Sequence, residues 1–317
     1  VITAGLPANV AIATAQLGFL DAIEGNVAGT LDGADPEYLH ELRVGVRRTR
    51  SLIKLTGDVL PSGVAAHFAP RFKWLGDLTT PTRDLDVYLI EMDQLAEVLV
   101  GAHPEDLAPF TEHLRRQRAV SRRTLVAGLR CERFTDLCTS WRAMLTEITE
   151  GRSDGVGQAP AAGGDTPATV TTVEQLGADR VRRVYARVLR RAQAITSDSP
   201  AEKVHALRKR CKELRYILEV FQPVCAEHTH RSVIKRLKRL QDVLGAFQDG
   251  EVQSEGLRTF AQQMLDDGPP PAATLLAMGE LSAHFTVQQR QARHELTAAL
   301  PRFLGATTHE RIESMLP

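Results

Sequence analysis

The chain has 317 residues, with 39 Lys and Arg balanced by 39 Asp and Glu, so its formal charge is zero. Overall basicity therefore cannot argue for a polyanionic partner, and only the placement of charge can. Aromatic residues make up just 5% of the chain, and the abundance of Arg, Ala and Leu favours helices. No apolar run approaches the ~20 residues of a membrane span and no signal-peptide pattern opens the chain, so a cytoplasmic protein with no membrane partner is expected. Val1 stands first in place of Met, which leaves room for an upstream segment. The cysteines Cys131, Cys138, Cys211 and Cys225 show no C-x-x-C pairing and no His at zinc-ligand spacing. No metal and no cofactor is expected, and a reducing compartment fits the thiols.

In chain order, Asn9 to Gly29 reads as a helix with Leu17, Leu20, Ile23 and Val27 on one face. Asp35-Pro36 is an N-cap followed by proline at the first helical position, and the helix it starts runs toward Pro61. Val64 to Leu78 gives the next helix, with Phe68, Phe72 and Leu75 inward. Thr79-Thr80-Pro81-Thr82 is expected to break it, and a further helix then runs from Arg83 to about Val100. A long helix from Asp106 to Leu129 follows, then one from Arg133 to Thr149. Residues 151–172, rich in Gly, Pro, Ala and Thr, have no periodicity that could bury a face and read as a linker. No convincing strand alternation appears on either side of it. The expected class is all-α, with units at 1–150 and 173–317.

The helix after Pro36 carries an unusual pattern. His40, Arg43, Arg47, Arg50 and Lys54 recur at steps of three, four, three and four. At 100° per residue they fall within about 80° of arc. Leu39, Leu42, Val46 and Ile53 form the apolar stripe beside them. Like charges at i,i+4 repel, so a row of cations pressed against the flank of a core is a candidate site.

The same pattern returns 165 residues later, in Lys203 to Phe221. His40 falls on His205, Arg43 on Arg208, Arg47 on Lys212 and Arg50 on Arg215, with Lys209 beside them. The apolar stripe falls on Val204, Leu207, Cys211 and Leu218, which places Cys211 in a core as a small apolar residue. The register continues through Lys73 on Lys238, Asp77 on Asp242 and Asp84 on Asp249. Ser199-Pro200 with Glu202 predicts a capping-box start, and the spacing drifts only at Asp266 to Ala273. The chain reads as a tandem repeat that preserves cations as well as core.

The segments His40 to Arg50 (H-x-x-R-V-x-x-R-R-x-R) and Val204 to Tyr216 resemble the CHAD domain, the conserved histidine α-helical domain. Phe72 to Val87 and Leu237 to Asp249 are similar to its later signatures, in the same order. The resemblance runs from about residue 10 to 305. It implies two helical bundles related by a pseudo-twofold axis and a basic central channel that binds inorganic polyphosphate without catalysis. It also implies an upstream CYTH triphosphate-tunnel domain as a frequent neighbour, and association with polyphosphate granules. Two departures stand out. Thr79 to Thr82 replaces a Leu-Gly-containing turn, and the opening helix lacks counterparts of Arg180, Arg183, Arg187 and Arg190, which predicts an asymmetric lining.

The chemistry of the stripe is compatible. Arginine offers a planar fork of donors to phosphate oxygens, and lysine and protonated histidine add point charges. His40 to Lys54 spans roughly 21 Å at the helical rise, which suits an extended chain of phosphates. Two facing stripes would depress the pKa values of their lysines and histidines until a ligand neutralised them. Lys73 and Lys238 join the candidate site, and Arg118, Arg122, Arg290 and Arg293 are candidates to extend it. Asp84 and Asp249 are expected to cap helices or orient arginines. A phosphate-processing enzyme would need a Walker-type loop or clustered carboxylates, and neither is found. A nucleic-acid binder would be expected to carry aromatic platforms for bases within its basic stretches. A bare scaffold would not require the aligned cations.

Overall fold

The computed structural model describes residues 2–151 and 171–316; most of the expected linker lies outside them. Among the described residues there is no β-strand, only an isolated antiparallel bridge between Pro7 and Thr172. The expected all-α class is what the structure has.

Helix α1 (Ala8–Gly25) stops earlier than its apolar pattern, because the Asn26 side chain turns back to donate to the Ala22 carbonyl at 2.7 Å. The short α2 (Val27–Asp32) follows and ends on Gly33 in the left-handed conformation. Helix α3 (Pro36–Thr56) starts as expected, with the Asp35 carboxylate accepting from the Glu37 N–H at 2.8 Å. Helix α4 (Val64–Glu97) corrects the sequence reading: it runs straight through Thr79 to Thr82, with Pro70 and Pro81 inside it. Helices α5 (Ala108–Arg130) and α6 (Glu132–Thr149) complete the first half.

The second half opens with α7 (Val173–Gln193), capped by a Thr172–Gln175 box. Helix α8 (Ala201–Phe221) lacks the expected capping box. The Ser199 hydroxyl instead accepts from the Thr196 N–H at 2.9 Å and closes the preceding turn. Helix α9 (Glu227–Asp267) is also continuous, so neither half has the turn expected between its long helices, and Asp84 and Asp249 cap nothing. The break at Gly268 falls within the expected loop, before α10 (Ala272–Leu304) and α11 (Ala306–Met315).

Two apolar cores explain the long helices. The larger gathers α1, α3, α6, α7, α8 and α11 with the first parts of α4 and α9 and the later parts of α5 and α10, and it includes Leu42, Phe72, Trp141, Cys211, Phe221 and Phe247. The smaller lies where the far ends of α4, α5, α9 and α10 meet, around Tyr88, Phe110, Leu257 and Phe285. Each of α4 and α9 therefore has an apolar set at both ends. Burial of seven large apolar side chains on α4, at about 1.5–3 kcal/mol each, outweighs the ~3 kcal/mol cost of each of its two interior prolines. Both cores draw on both halves, and α3 and α8 meet directly at the centre of the molecule.

Candidate functional site: a basic groove between α3, α8 and α9

The apolar stripes of α3 and α8 are buried as expected, with Leu42 and Leu207 fully excluded from solvent. That burial turns the adjoining cationic stripes toward each other. The resulting cleft, of about 640 Å³, is lined by His40, Arg47 and Arg48 from α3, Arg208, Lys212 and Arg215 from α8, and Gln241, Asp242 and Asp249 from α9. Five residues of the sequence stripes thus share one cavity: His40, Arg47, Arg208, Lys212 and Arg215.

Carboxylates also enter the cleft. Glu219 takes Arg48 at 3.3 Å and Arg215 at 2.7 Å, and Asp249 stands 3.7 Å from Arg208. Arg47 and Lys212 have no ion pair among the described residues. Burial, followed by the nearby charges of Arg208 and Arg47, brings the Lys212 ammonium down to about 8, with Asp249 opposing. Burial and the Arg83 charge also lower His40, against a smaller opposing effect of Glu37. Five Lys and Arg side chains share the cleft with the carboxylates of Glu41, Glu219, Asp242 and Asp249, and burial with like-charge crowding penalises the charge of Lys212.

The remaining stripe residues are directed elsewhere. Arg43 reaches α4, donating to the hydroxyls of Thr79 at 3.0 Å and Thr80 at 2.8 Å; burial lowers its pKa, with the charge of Asp84 opposing. Arg50 lies against Gly76, where an added Cβ would come within 2.7 Å of its guanidinium. Lys54 bonds Glu213 of α8 at 2.6 Å. Lys73 pairs with Asp77 one turn along α4. The His205 ring bonds the Gln248 side chain. Lys209 and Lys238 are exposed and have no bonded partner among the described residues.

Arg118, Arg122, Arg290 and Arg293, the candidates to extend the site, do not line the groove. Arg118 pairs with the buried Asp86. Arg122 donates to the carbonyls of Leu31 at 2.8 Å and Asp32 at 2.6 Å, at the end of α2. Arg293 does the same for Ser197 at 2.9 Å and Ser199 at 2.6 Å, just before α8. Both satisfy backbone acceptors that would otherwise lack donors. Arg290 is exposed on α10. Arg180, expected to add to the lining, is buried and paired with Asp58 and Asp179.

Two groove residues escaped the stripe pattern: Arg48, one position off the arc, and Glu219. Glu219 stands where Lys54 would recur after 165 residues. That reversal of charge was the available signal that this corner of the second stripe serves as a counter-ion.

The CHAD domain family model matches residues 15–258. The chain belongs to the CHAD family. Over 233 residues this CHAD protein is 29% identical to uncharacterized proteins of two Mycobacterium tuberculosis strains, ATCC 25618 / H37Rv and CDC 1551 / Oshkosh. The match takes 70% of this chain but 40% of theirs, so the chain spans less than half the length of those relatives. Its fold is similar to the crystal structure of the CHAD domain from the plant Ricinus communis, with a TM-score of 0.74 at 24% identity over 94% of this chain and 93% of that one. It is also similar to PptA from Streptomyces chartreusis, with a TM-score of 0.61 at 16% identity over 93% of this chain and 99% of that one. At these identities the likeness speaks for the fold alone. No helix among the described residues is long and apolar enough to cross a membrane.

Proposed function

We propose that this CHAD protein is a binding module for inorganic polyphosphate, its two helical repeats acting as one domain, and that the α3–α8–α9 groove is the site. The observation that carries the reading is that Arg47 and Lys212, from the two stripes, enter one cleft without a carboxylate partner among the described residues. Together with His40, Arg48, Arg208 and Arg215 they offer fork and point-charge donors to a run of phosphates. Lys209 and Lys238, exposed on α8 and α9, are proposed to meet a longer chain.

A binding role without catalysis fits the lining. It contains no Ser, Thr or Cys, and of its four carboxylates Glu219 and Asp249 already face arginines. A second reading makes the domain an accessory to a triphosphate-processing part, in the manner of CYTH–CHAD proteins; the greater length of the mycobacterial relatives favours it.

Calorimetric titration with polyphosphates of graded length is the test, with duplex DNA and ATP as comparators. Long-chain polyphosphate should bind far more tightly than ATP, pyrophosphate or DNA, and weaken with added salt. Equal affinity for orthophosphate and the long chain would overturn the reading. Reversing Arg47→Glu and Lys212→Glu together should abolish binding of long-chain polyphosphate in the groove while far-UV circular dichroism stays helical.

A further inference from the structure

A second concave basic surface lies away from the groove, in the second half alone. Lys235, Arg236 and Arg239 of α9, Arg302 of α10 and Arg311 of α11 surround a cleft of about 760 Å³. Among the described residues none of these five cations is paired with a carboxylate. Arg236 reaches only the Thr308 hydroxyl at 3.4 Å, and Arg311 the Ser232 hydroxyl. The single carboxylate of the lining, Glu295, is held by the Gln291 amide at 3.0 Å.

Several arginines elsewhere on the molecule have carboxylate partners. Arg142 takes Asp21 and Glu24, Arg182 takes Glu313, and Arg231 takes Glu227. In a chain of balanced charge, five unpaired cations converging from three helices repel one another and are relieved by a multiply charged anion.

The first half shows what this face looks like when it is closed. The residues 165 positions before Arg236, Arg239 and the neighbouring wall residue Val243 are Arg71, Trp74 and Leu78. There Arg71 bonds Ser140 of α6 at 3.5 Å, Trp74 lies under Arg133 at 4.3 Å, and Leu78 is pressed so closely on α5 that a Cβ at Gly128 would come within 2.5 Å of it. The 18-residue α6 covers that face. In the second half Trp74 is replaced by Arg239, and the final helix, α11, has 10 residues. The face stays open and has become cationic.

We infer that this α9–α10–α11 cleft is a second, separate anion site, taking a compact cluster of three or more phosphate charges, as carried by tripolyphosphate or a nucleoside triphosphate. Cations converging on it from three helices suit a compact cluster of charges, which arginine forks can take bidentately. A ligand bound here sits on the α10–α11 side of α9, while the groove lies against α3 and α8.

The experiment titrates ATP and tripolyphosphate into the full chain carrying Arg47→Glu and Lys212→Glu, so that the groove contributes nothing. Both ligands should still bind. Adding Arg239→Glu and Arg302→Glu, both exposed positions, should weaken them by at least about tenfold without loss of far-UV helicity. Tighter binding of ATP than of tripolyphosphate would assign a role to the apolar wall at Val243 and Ala299; equal binding would assign recognition to the phosphates alone. Affinity unchanged by the Arg239 and Arg302 reversals overturns the site. Arg239→Glu and Arg302→Glu alone should leave long-chain polyphosphate binding intact, so failure of the groove and failure of this cleft are read separately.

Discussion

Lys54 of α3 donates to the Glu213 carboxylate of α8 at 2.6 Å, and Arg210 reaches the other oxygen of the same carboxylate at 2.5 Å. The last cation of the first stripe is therefore a tie between the two halves, outside the groove lining. Glu213 is nearly buried, whereas the Lys54 side chain is 57% exposed. Glu213→Ala would leave two cations without their acceptor at the α3–α8 contact. After allowance for solvent at Lys54, a loss of about 1–2 kcal/mol follows, a fall in Tm of roughly 2–6 °C. Polyphosphate affinity should hold within a factor of about two. A thermal melt paired with one titration checks both parts, and a large loss of binding without a fall in Tm would place Lys54 back among the ligand contacts.

Lys212 makes binding depend on pH with a definite sign. Its folded value is about 8, below the ordinary 10.5. Below pH 8 it is charged in both folded and unfolded chains, and the fold carries the cost of the crowded charge. Between about pH 8 and 10.5 the unfolded chain holds the proton and the folded chain has released it, so this residue makes the free protein more stable as pH rises. A polyanion favours the ammonium and raises its pKa. Binding near pH 8 should then take up protons, and affinity should fall as pH climbs through that range. Titrations in two buffers of different ionisation heat would reveal the uptake. Identical heats in both, or a Lys212→Arg variant retaining the same pH dependence, would show that Lys212 does not face the ligand.

The core stripes, the cationic stripes and the all-α class were readable because each rests on a local period of three to four residues. The continuity of α4 was not. Pro81 and its flanking threonines form a strong local stop signal, but the burial of Phe68, Phe72 and Leu75 at one end and of Leu85, Tyr88 and Met92 at the other is a long-range effect. The hydroxyls of Thr79 and Thr80 both donate to the Gly76 carbonyl, at 3.0 and 2.8 Å, within the turn before the proline. The roles of Arg122 and Arg293 were hidden for a similar reason: their partners are backbone carbonyls about 90 residues away. A one-dimensional charge pattern cannot separate such an arginine from one that meets a ligand.

Pro81→Ala tests that account of α4. If packing at both ends overrides the proline, removing it restores one helical N–H and relieves its clash with the preceding turn. Part of the gain is offset because proline also restricts the unfolded chain. A net stabilisation of about 1–2 kcal/mol is expected in denaturant melts. Destabilisation would mean that Pro81 itself favours the conformation that brings the two ends of α4 onto their separate cores.

Two glycine-to-alanine changes should differ in sign. At Gly76 in α4, a new Cβ meets only the Arg50 guanidinium, at 2.7 Å. That is the tip of a flexible side chain, which can swing aside. Gly76→Ala should therefore keep most of the ~0.5–1 kcal/mol that alanine gains over glycine inside a helix. At Gly250 in α9, the new Cβ would stand 2.7 Å from the Phe285 carbonyl oxygen and 3.0 Å from the Gln289 N–H nitrogen. Both are backbone atoms of α10, so relief requires the two longest packed helices of the second half to separate. Phe285 belongs to the smaller core shared with Tyr88 and Phe110, and that separation would loosen the contact between the halves. Gly250→Ala should cost about 1–3 kcal/mol even after its gain in helix propensity. If Gly250→Ala proved as stable as Gly76→Ala in the same melts, the close approach of α9 and α10 would be softer than the geometry describes.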